Sequence, residues 1–364
     1  MSKHLAIFLP SLEDGGAERA MLLFATQANI MGHTVDLVCI NAKGSLAELV
    51  PTGINLVDLK VRHLILAFAP LRRYLNRSRP NVVFSTIIQA NLALVVASRF
   101  LKNRPLIILR ESISLLSDRN SSLARRLFYL LTPYFYPMAD AIIAVSHGVA
   151  EELKKVAPRT DSKVHVLPTP SITPEMFVKA AIPLAPIRRT PEDFILGIGR
   201  LLPQKNFERL IRAYAIVRES LDVHLIILGE GPERPRLEAL IAHYGLRDDV
   251  HLLGFVSNPF PYLKAAKVFA LSSDFEGMPS VLVQAMALGT PVVATNCPHG
   301  PAELLENGKL GRLVPLDDDK AFAQALIRAY LDPPSGELMN SATNRYDAAI
   351  ATEGYMGLID RLVK

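Results

Sequence analysis

The sequence predicts an α/β fold: two doubly wound, Rossmann-like domains facing each other across a cleft. Short apolar runs alternate with helix-period segments along the whole chain, the pattern of parallel sheets covered by helices. At 364 residues the chain exceeds one ordinary core and suits two domains. Between the two series, six prolines fall from Pro168 to Pro191.

In the first series, strands are expected at 5–9, 34–40, 81–84, 106–109, 141–145 and 163–167, with helices at 17–31, 64–78 and 89–101 between them. The start, Met1 to Pro10, has a basic and then an apolar stretch like a signal peptide. Glu13, Asp14, Glu18 and Arg19 follow at once, so a buried first strand fits better. Proline fixes the backbone and removes a donor, so 171–192 reads as a stiff, extended linker. Residues 1–170 then form the first domain, and 193–346 the second. Strands of the second series are expected at 194–198, 223–228, 250–253, 268–271, 291–294 and 311–314. Helices at 317–331 and roughly 337–363 close the chain.

Composition narrows the classes. Half of the residues are apolar, which supports packed cores. The two cysteines, Cys39 and Cys297, exclude a disulfide framework and suggest a reducing compartment. No run approaches the roughly 18 apolar residues of a membrane span, so a cytoplasmic protein, soluble or peripheral on the cytoplasmic face of a membrane, is expected. The charge is uneven. Residues 1–170 hold 20 Lys/Arg against 12 Asp/Glu, and 171–364 hold 20 against 23. From Lys60 to Arg126 there are 13 basic and 2 acidic residues. Such confinement points to an anionic partner for the first half, namely a phosphorylated acceptor, a membrane surface or nucleic acid; a merely solvated basic face is the plainer alternative. No nucleic-acid motif accompanies the charge, which ranks that partner last.

Three strand-to-helix loops carry the candidate chemistry. Gly15 and Gly16 follow the first strand, where bare backbone and a helix start suit a phosphate or a sugar hydroxyl. Gly197-Ile-Gly199-Arg200 through Lys205-Asn206 follows the first strand of the second domain. There an Arg fork and a Lys point charge can converge on a diphosphate, and Asn206 suits a helix cap. Phe275-Glu276-Gly277-Met278-Pro279-Ser280 sets a carboxylate before an apolar helix, with Gln284 two turns further along. Each loop alone is equally a plain turn with solvated charges. Together they sit where doubly wound sheets bind ligands.

The run from Glu276 to Gly289, continuing to Glu303, resembles the donor-site segment of retaining glycosyltransferase family 4, the glycogen-synthase-like group 1 transferases. Gly199 to Asn206 resembles that family's diphosphate loop, and Gly15 to Arg19 its first-domain glycine loop. Gly32-His33 and Gly254-Phe255-Val256 also match in place. The resemblance spans nearly the whole chain and is strongest from 197 to 315. It implies the two-domain glycosyltransferase B fold, with the last helix, about 347–364, packing back on the first domain. It implies no cofactor and no metal, with a nucleotide diphosphate sugar as donor substrate. Arg200 and Lys205 would hold the diphosphate and stabilise it as leaving group. Glu276 would sit by the donor sugar, and amides around Gly277, Met278, Val281 and Leu282 would meet sugar and phosphate. Gly16 would let the first-domain backbone close on the donor, and Phe255 would lie beside the base.

Two positions depart from the family pattern. Gln284 stands where a second glutamate usually accepts from ribose, which leaves an uncharged acceptor there. Glu111 stands where many relatives have a histidine; it would orient the acceptor, act as a base, or pair with Arg110 or Arg119. His147, after a strand, is either an acceptor contact or simply the residue behind a Ser146 cap.

The resemblance implies retention of configuration, and no hydrolase-like carboxylate pair is evident. A UDP-hexose or UDP-N-acetylhexosamine donor is favoured by analogy with the stretch from Asn296 to Pro301. The basic segment and the aromatic run 127–136 suggest a lipid-linked or glycan acceptor at a membrane surface, although a buried helix would account for the run equally well. The alternatives are a nucleotide-sugar epimerase of the same fold and a non-catalytic sugar-nucleotide binding protein.

Overall fold

A computed structural model describes residues 2–13, 15–112, 123–184 and 193–363. The chain divides into two compact units: Met1–Ser171 with Tyr346–Lys364, and Ile172–Arg345.

Unit 1 runs β1 (His4–Leu9), α1 (Gly16–Ile30), β2 (Thr34–Cys39), β3 (Asn55–Asp58), α2 (Phe68–Ser78), β4 (Val82–Thr86), α3 (Ile88–Ser98), β5 (Leu106–Glu111), α4 (Leu123–Phe135), β6 (Ala141–Ala144), α5 (His147–Val156) and β7 (Val164–Val166). Its seven strands form a parallel sheet in the order β3-β2-β1-β4-β5-β6-β7. The chain order reverses between β1 and β4, so the loops after these two strands flank the switch point. Both faces of the sheet are buried. One carries Leu71, Leu75, Leu94, Tyr136 and Leu153; the other carries Phe24, Phe84 and Tyr355. Central parallel strands are buried on both faces, hence their unbroken apolar sequences.

Unit 2 runs α6 (Pro174–Ala180), β8 (Phe194–Ile198), α7 (Phe207–Arg218), β9 (His224–Leu228), α8 (Arg234–His243), β10 (Val250–Gly254), α9 (Phe260–Ala265), β11 (Val268–Leu271), α10 (Ser280–Ala287), β12 (Val292–Thr295), α11 (Pro301–Leu304), β13 (Arg312–Val314), α12 (Asp319–Leu331) and α13 (Gly336–Ala342). Its six parallel strands are ordered β10-β9-β8-β11-β12-β13, with the reversal between β8 and β11. The last helix, α14 (Ala348–Val363), belongs to unit 1. There the Tyr355 ring lies 5.1 Å from that of Phe24 and 6.2 Å from that of Phe84.

The structure departs from the sequence reading in four places. β3 was not expected: Asn55-Leu-Val-Asp58 is an edge strand, largely exposed, and has no apolar run to reveal it. The segment 64–78 splits into a 3-10 turn at Leu64–Ala67 and then α2, which takes Pro70 in its first turn, where a missing N–H costs nothing. The linker is not extended throughout. Pro174 opens α6 at its first position, and Met176 and Ala180 of that helix are buried. The closing helix is broken at Asn344–Tyr346, and Asp347 restarts it by accepting from the Ala349 amide at 2.9 Å. The chain returns to unit 1 at this break.

Asp36, buried in β2, ties three strands to α2. It accepts from Tyr74 Oη at 2.5 Å and from Asn55 Nδ2 at 3.1 Å, and it lies 2.9 Å from His4 Nε2. Asp36→Ala strands the buried Tyr74 hydroxyl, and the expected cost is roughly 2–3 kcal/mol, read as a fall in Tm by calorimetry; an unchanged Tm would refute that role.

Candidate functional site in unit 2

The loops on either side of the β8/β11 switch point are joined to each other. From the first, Lys205 reaches Glu276 Oε1 of the second at 2.5 Å. Ser273 Oγ donates to the same oxygen at 2.6 Å. Main chain and side chain cross as well: Asp274 N donates to Gln204 O at 2.8 Å, Gln204 Nε2 to Phe275 O at 2.9 Å, and Ser272 Oγ to Lys205 O at 2.8 Å.

Asn206 holds the turn between loop and helix. It has φ +43°, and its side chain caps α7 by accepting from Arg209 N at 3.2 Å while donating to Asp274 Oδ1 at 3.0 Å. Asn tolerates this left-handed conformation better than most residues, and it supplies both hydrogen bonds at once. Behind it, buried Arg209 binds Asp274 at 2.8 Å and Ser272 O at 2.8 Å. The aliphatic stem of Lys205 crosses Gly199, where a Cβ would lie 3.3 Å from it.

Charge is distributed unequally over this framework. Glu276 is only 6% exposed, and its oxygen is shared between a cation and a hydroxyl. A carboxylate so buried needs such partners, since losing either would leave a desolvated charge. Arg200 is exposed and makes no ion pair or side-chain hydrogen bond among the described residues. It is the open cation of the site. The pair Lys205–Glu276 is internally neutral, so the site as a whole favours an anion.

Gly277 is buried and Met278 half-buried, and their amides donate to no described residue. A third turn closes against them. Gly300, at φ +64°, sits where a Cβ would lie 2.8 Å from Pro279 Cδ and 2.9 Å from Gly277 O, so only glycine fits. Cys297 in that turn is buried. Burial first, and the Glu276 charge second, push its thiol up to about 12, which leaves it inert as a nucleophile.

The remaining candidates divide. Gln284 is buried on α10, and Val281 is half-buried. Leu282 needs correction: its side chain is fully buried in the core and its amide already donates to Pro279 O at 2.9 Å, so neither is left for a ligand. Phe255 is 54% exposed, just past the edge strand β10. Sequence reading missed Ser273, Gln204, Asp274 and Gly300. Asp274 and Ser273 directly precede the glutamate motif, a signal that was present but unspecific.

In unit 1, Gly16 opens α1 at the switch-point loop, and a Cβ there would meet nothing within 4 Å. Glu111 ends β5, 3% exposed, and Tyr136 Oη donates to it at 2.6 Å. Tyr136 in turn accepts from Asn91 Nδ2 at 3.0 Å. The expected pairing of Glu111 with Arg110 is not formed. Neighbours on a strand point to opposite faces, and Arg110 is held instead by hydroxyls of Thr169 at 2.9 Å, Tyr355 at 3.3 Å and Thr86 at 3.4 Å. Arg119 lies outside the described residues. His147 is exposed at the first position of α5, and Ser146 caps that helix by accepting from Val149 N at 3.3 Å.

Both units match known protein families. Residues 184–346 match glycosyl transferases group 1, and residues 14–170 match Glycosyltransferase Family 4. Over 347 residues, 88% of each chain, the sequence is 32% identical to N-acetylgalactosamine-N,N'-diacetylbacillosaminyl-diphospho-undecaprenol 4-alpha-N-acetylgalactosaminyltransferase of Campylobacter jejuni.

The chain belongs to glycosyltransferase family 4.

The fold of this glycosyltransferase is shared with solved structures at low identity. A glycosyltransferase of Rickettsia africae superposes with a TM-score of 0.80 at 16% identity, covering 100% of this chain and 99% of that one. HepE of Anabaena, in complex with UDP and glucose, superposes with a TM-score of 0.76 at 19% identity, covering 99% and 100%. Gln284, where the resemblance implied a second glutamate, is buried on α10.

Glu111 makes one measurable demand on the family 4 chain. Burial raises its carboxyl from 4.5 to about 7, partly offset by the hydrogen bonds from Tyr136 and the Ser112 backbone. The folded chain thus keeps a proton that the unfolded chain releases near 4.5. The stability this contributes is full below that value and is lost as pH rises through about 7. Glu111→Gln is neutral throughout, so its stability should gain on the wild type as pH rises between those limits, by up to roughly 3 kcal/mol, read as a higher relative Tm. Parallel pH profiles of Tm would contradict the shift.

Proposed function

We propose that this glycosyltransferase moves a hexose or N-acetylhexosamine from a uridine diphosphate donor to a lipid-linked or glycan acceptor, in the synthesis of a cell-surface polysaccharide or glycan. The reaction retains the anomeric configuration and uses no metal. The observation that carries the reading is the unpaired Arg200 beside the Lys205–Glu276 pair, with the Gly277 and Met278 amides in the adjoining turn. Two cations and open amides are the means by which a protein neutralises a diphosphate.

Each residue then has a role. Arg200 meets the diphosphate as a fork, and Lys205 supplies a point charge to the leaving phosphate while it stays tied to Glu276. Glu276, oriented by Ser273, accepts from hydroxyls of the donor sugar. Gln284 accepts from the ribose through its amide oxygen, and Phe255 packs beside the base. In unit 1, Gly16 leaves room for the donor to approach the backbone, and Glu111 and His147 face the acceptor side of the reaction. The HepE complex with UDP and glucose and the undecaprenol-linked acceptor named for the Campylobacter relative support the choice of donor and acceptor class. No helix among the described residues is long and apolar enough to cross a membrane, which suits a peripheral enzyme at the cytoplasmic face.

Three outcomes follow. UDP raises the Tm of the wild type, and Arg200→Ala abolishes that rise without changing the ligand-free Tm, since the side chain supports nothing in the fold. Lys205→Ala lowers kcat/KM by ~10²–10³, the scale for removing one stabiliser of developing charge, and turnover survives chelator. NMR of the first-formed product gives the donor's anomeric configuration; inversion would refute the retaining assignment.

A further inference from the structure

Unit 1 carries a positive charge that it does not balance. From Lys60 to Arg110 there are ten Lys/Arg residues and no Asp or Glu. Arg104 is paired with Asp140 at 2.9 Å, and Arg110 is buried among hydroxyls. Arg72, Arg73, Arg77, Arg79, Arg99 and Lys102 make no ion pair with any described residue. Such a set of uncompensated cations repels itself, and the fold tolerates it only because all six reach water.

Three of these cations share one groove. Phe68, Arg72, Arg73, Asn76 and Arg77 line an open depression of about 490 Å³ along α2. The opposite side of the helix is the buried one, with Leu71, Tyr74 and Leu75 in the core. Arg72 Nη2 donates to Phe100 O at 3.1 Å, which joins the groove to the end of α3. There the Arg99 guanidinium stands 5.7 Å from the centroid of the Phe100 ring. The cations are interleaved with apolar side chains held in water: Phe100 is 68% exposed, Leu66 58% and Phe68 36%.

Each half of this pattern is unfavourable in water, and one environment relieves both. Guanidinium groups gain from lipid phosphates, while aromatic and leucine side chains gain from the boundary between headgroups and acyl chains. We propose that the outward side of α2, with the end of α3, seats unit 1 on an anionic lipid bilayer. The inference rests on the reading above that the acceptor is lipid-linked, and it names the surface that brings the enzyme to it. The aromatic run 127–136 is not the principal contact. Phe128, Tyr129, Leu131 and Phe135 pack on the core and Tyr136 is fully buried, so that among the described side chains of the run only Leu130 and Tyr134 are large apolar groups left exposed.

The test is sedimentation of the full chain, without nucleotide sugar, with vesicles of phosphatidylcholine alone or mixed with phosphatidylglycerol. Binding is expected only to the anionic vesicles, weakening as salt is raised. The triple variant Arg72→Gln, Arg73→Gln, Arg77→Gln should lose roughly fivefold in partitioning per charge, on the order of a hundredfold in all. Phe68→Ser with Phe100→Ser should lose the binding that survives in salt. All five side chains leave the core untouched, so the ligand-free Tm checks that each variant is folded. Equal binding to neutral vesicles, an unaltered triple variant, or displacement from vesicles by duplex RNA would each overturn the proposal. The Tm rise with UDP, measured on the same samples, reports the donor site separately. Its absence from the wild type would refute the donor reading and leave the vesicle result standing.

Discussion

The contact between Lys205 and Glu276 is the constraint on which the site in unit 2 depends. It joins two loops 71 residues apart in sequence at the one point in the sheet where strand order reverses. A buried carboxylate without a cation would be strongly destabilising, so this pair is what holds the two loops together. The supports are layered behind it. Ser273 takes up the carboxylate from the other side, and Asn206, Asp274 and Arg209 lock the turn from below. Arg200 stands outside this web, which leaves its charge available.

Unit 1 handles buried charge by a different device. Among the described residues Arg110 has no carboxylate partner; three hydroxyls, drawn from Thr86, Thr169 and Tyr355, solvate it in place of water. Glu111, its neighbour in sequence, faces the other way, and among the described residues a phenol rather than a cation holds it. Burial outweighs the hydrogen bonds from Tyr136 and the Ser112 backbone and brings its proton into the neutral range. The two units differ in kind: in unit 2 the buried Glu276 is paired with a cation, and in unit 1 the buried Glu111 is left to titrate.

The sequence disclosed the parts of the structure that depend on burial and periodicity. The strands of both sheets appeared as apolar runs because parallel strands are covered on both faces. β3 escaped because an exposed edge strand has no such run, and α6 because a proline-rich stretch is indistinguishable from a linker until Pro174 is seen at a helix start. Arg200, Lys205 and Glu276 were legible from their places at strand ends. That Lys205 touches Glu276 was not, because a contact across 71 residues is fixed by topology rather than by local pattern. For Leu282 the resemblance named an amide that the Pro279 carbonyl has taken, a local turn bond that motif likeness does not reveal. The basic character of 60–126 was plain as composition, whereas the sorting of its arginines into paired, buried and free ones required coordinates.

The segment that leaves unit 1 and the one that returns to it lie side by side: Ser171 N donates to Tyr346 O at 3.0 Å. Unit 2 is therefore an insertion between two adjoining points of unit 1, and its two ends leave a closed seam. A chimera that swaps everything after Ser171 would carry away α14, with the Tyr355 hydroxyl that solvates Arg110 and the ring that packs on Phe24 and Phe84. Exchange of unit 2, whether by recombination in evolution or by design, respects the architecture only as a cassette cut at both places.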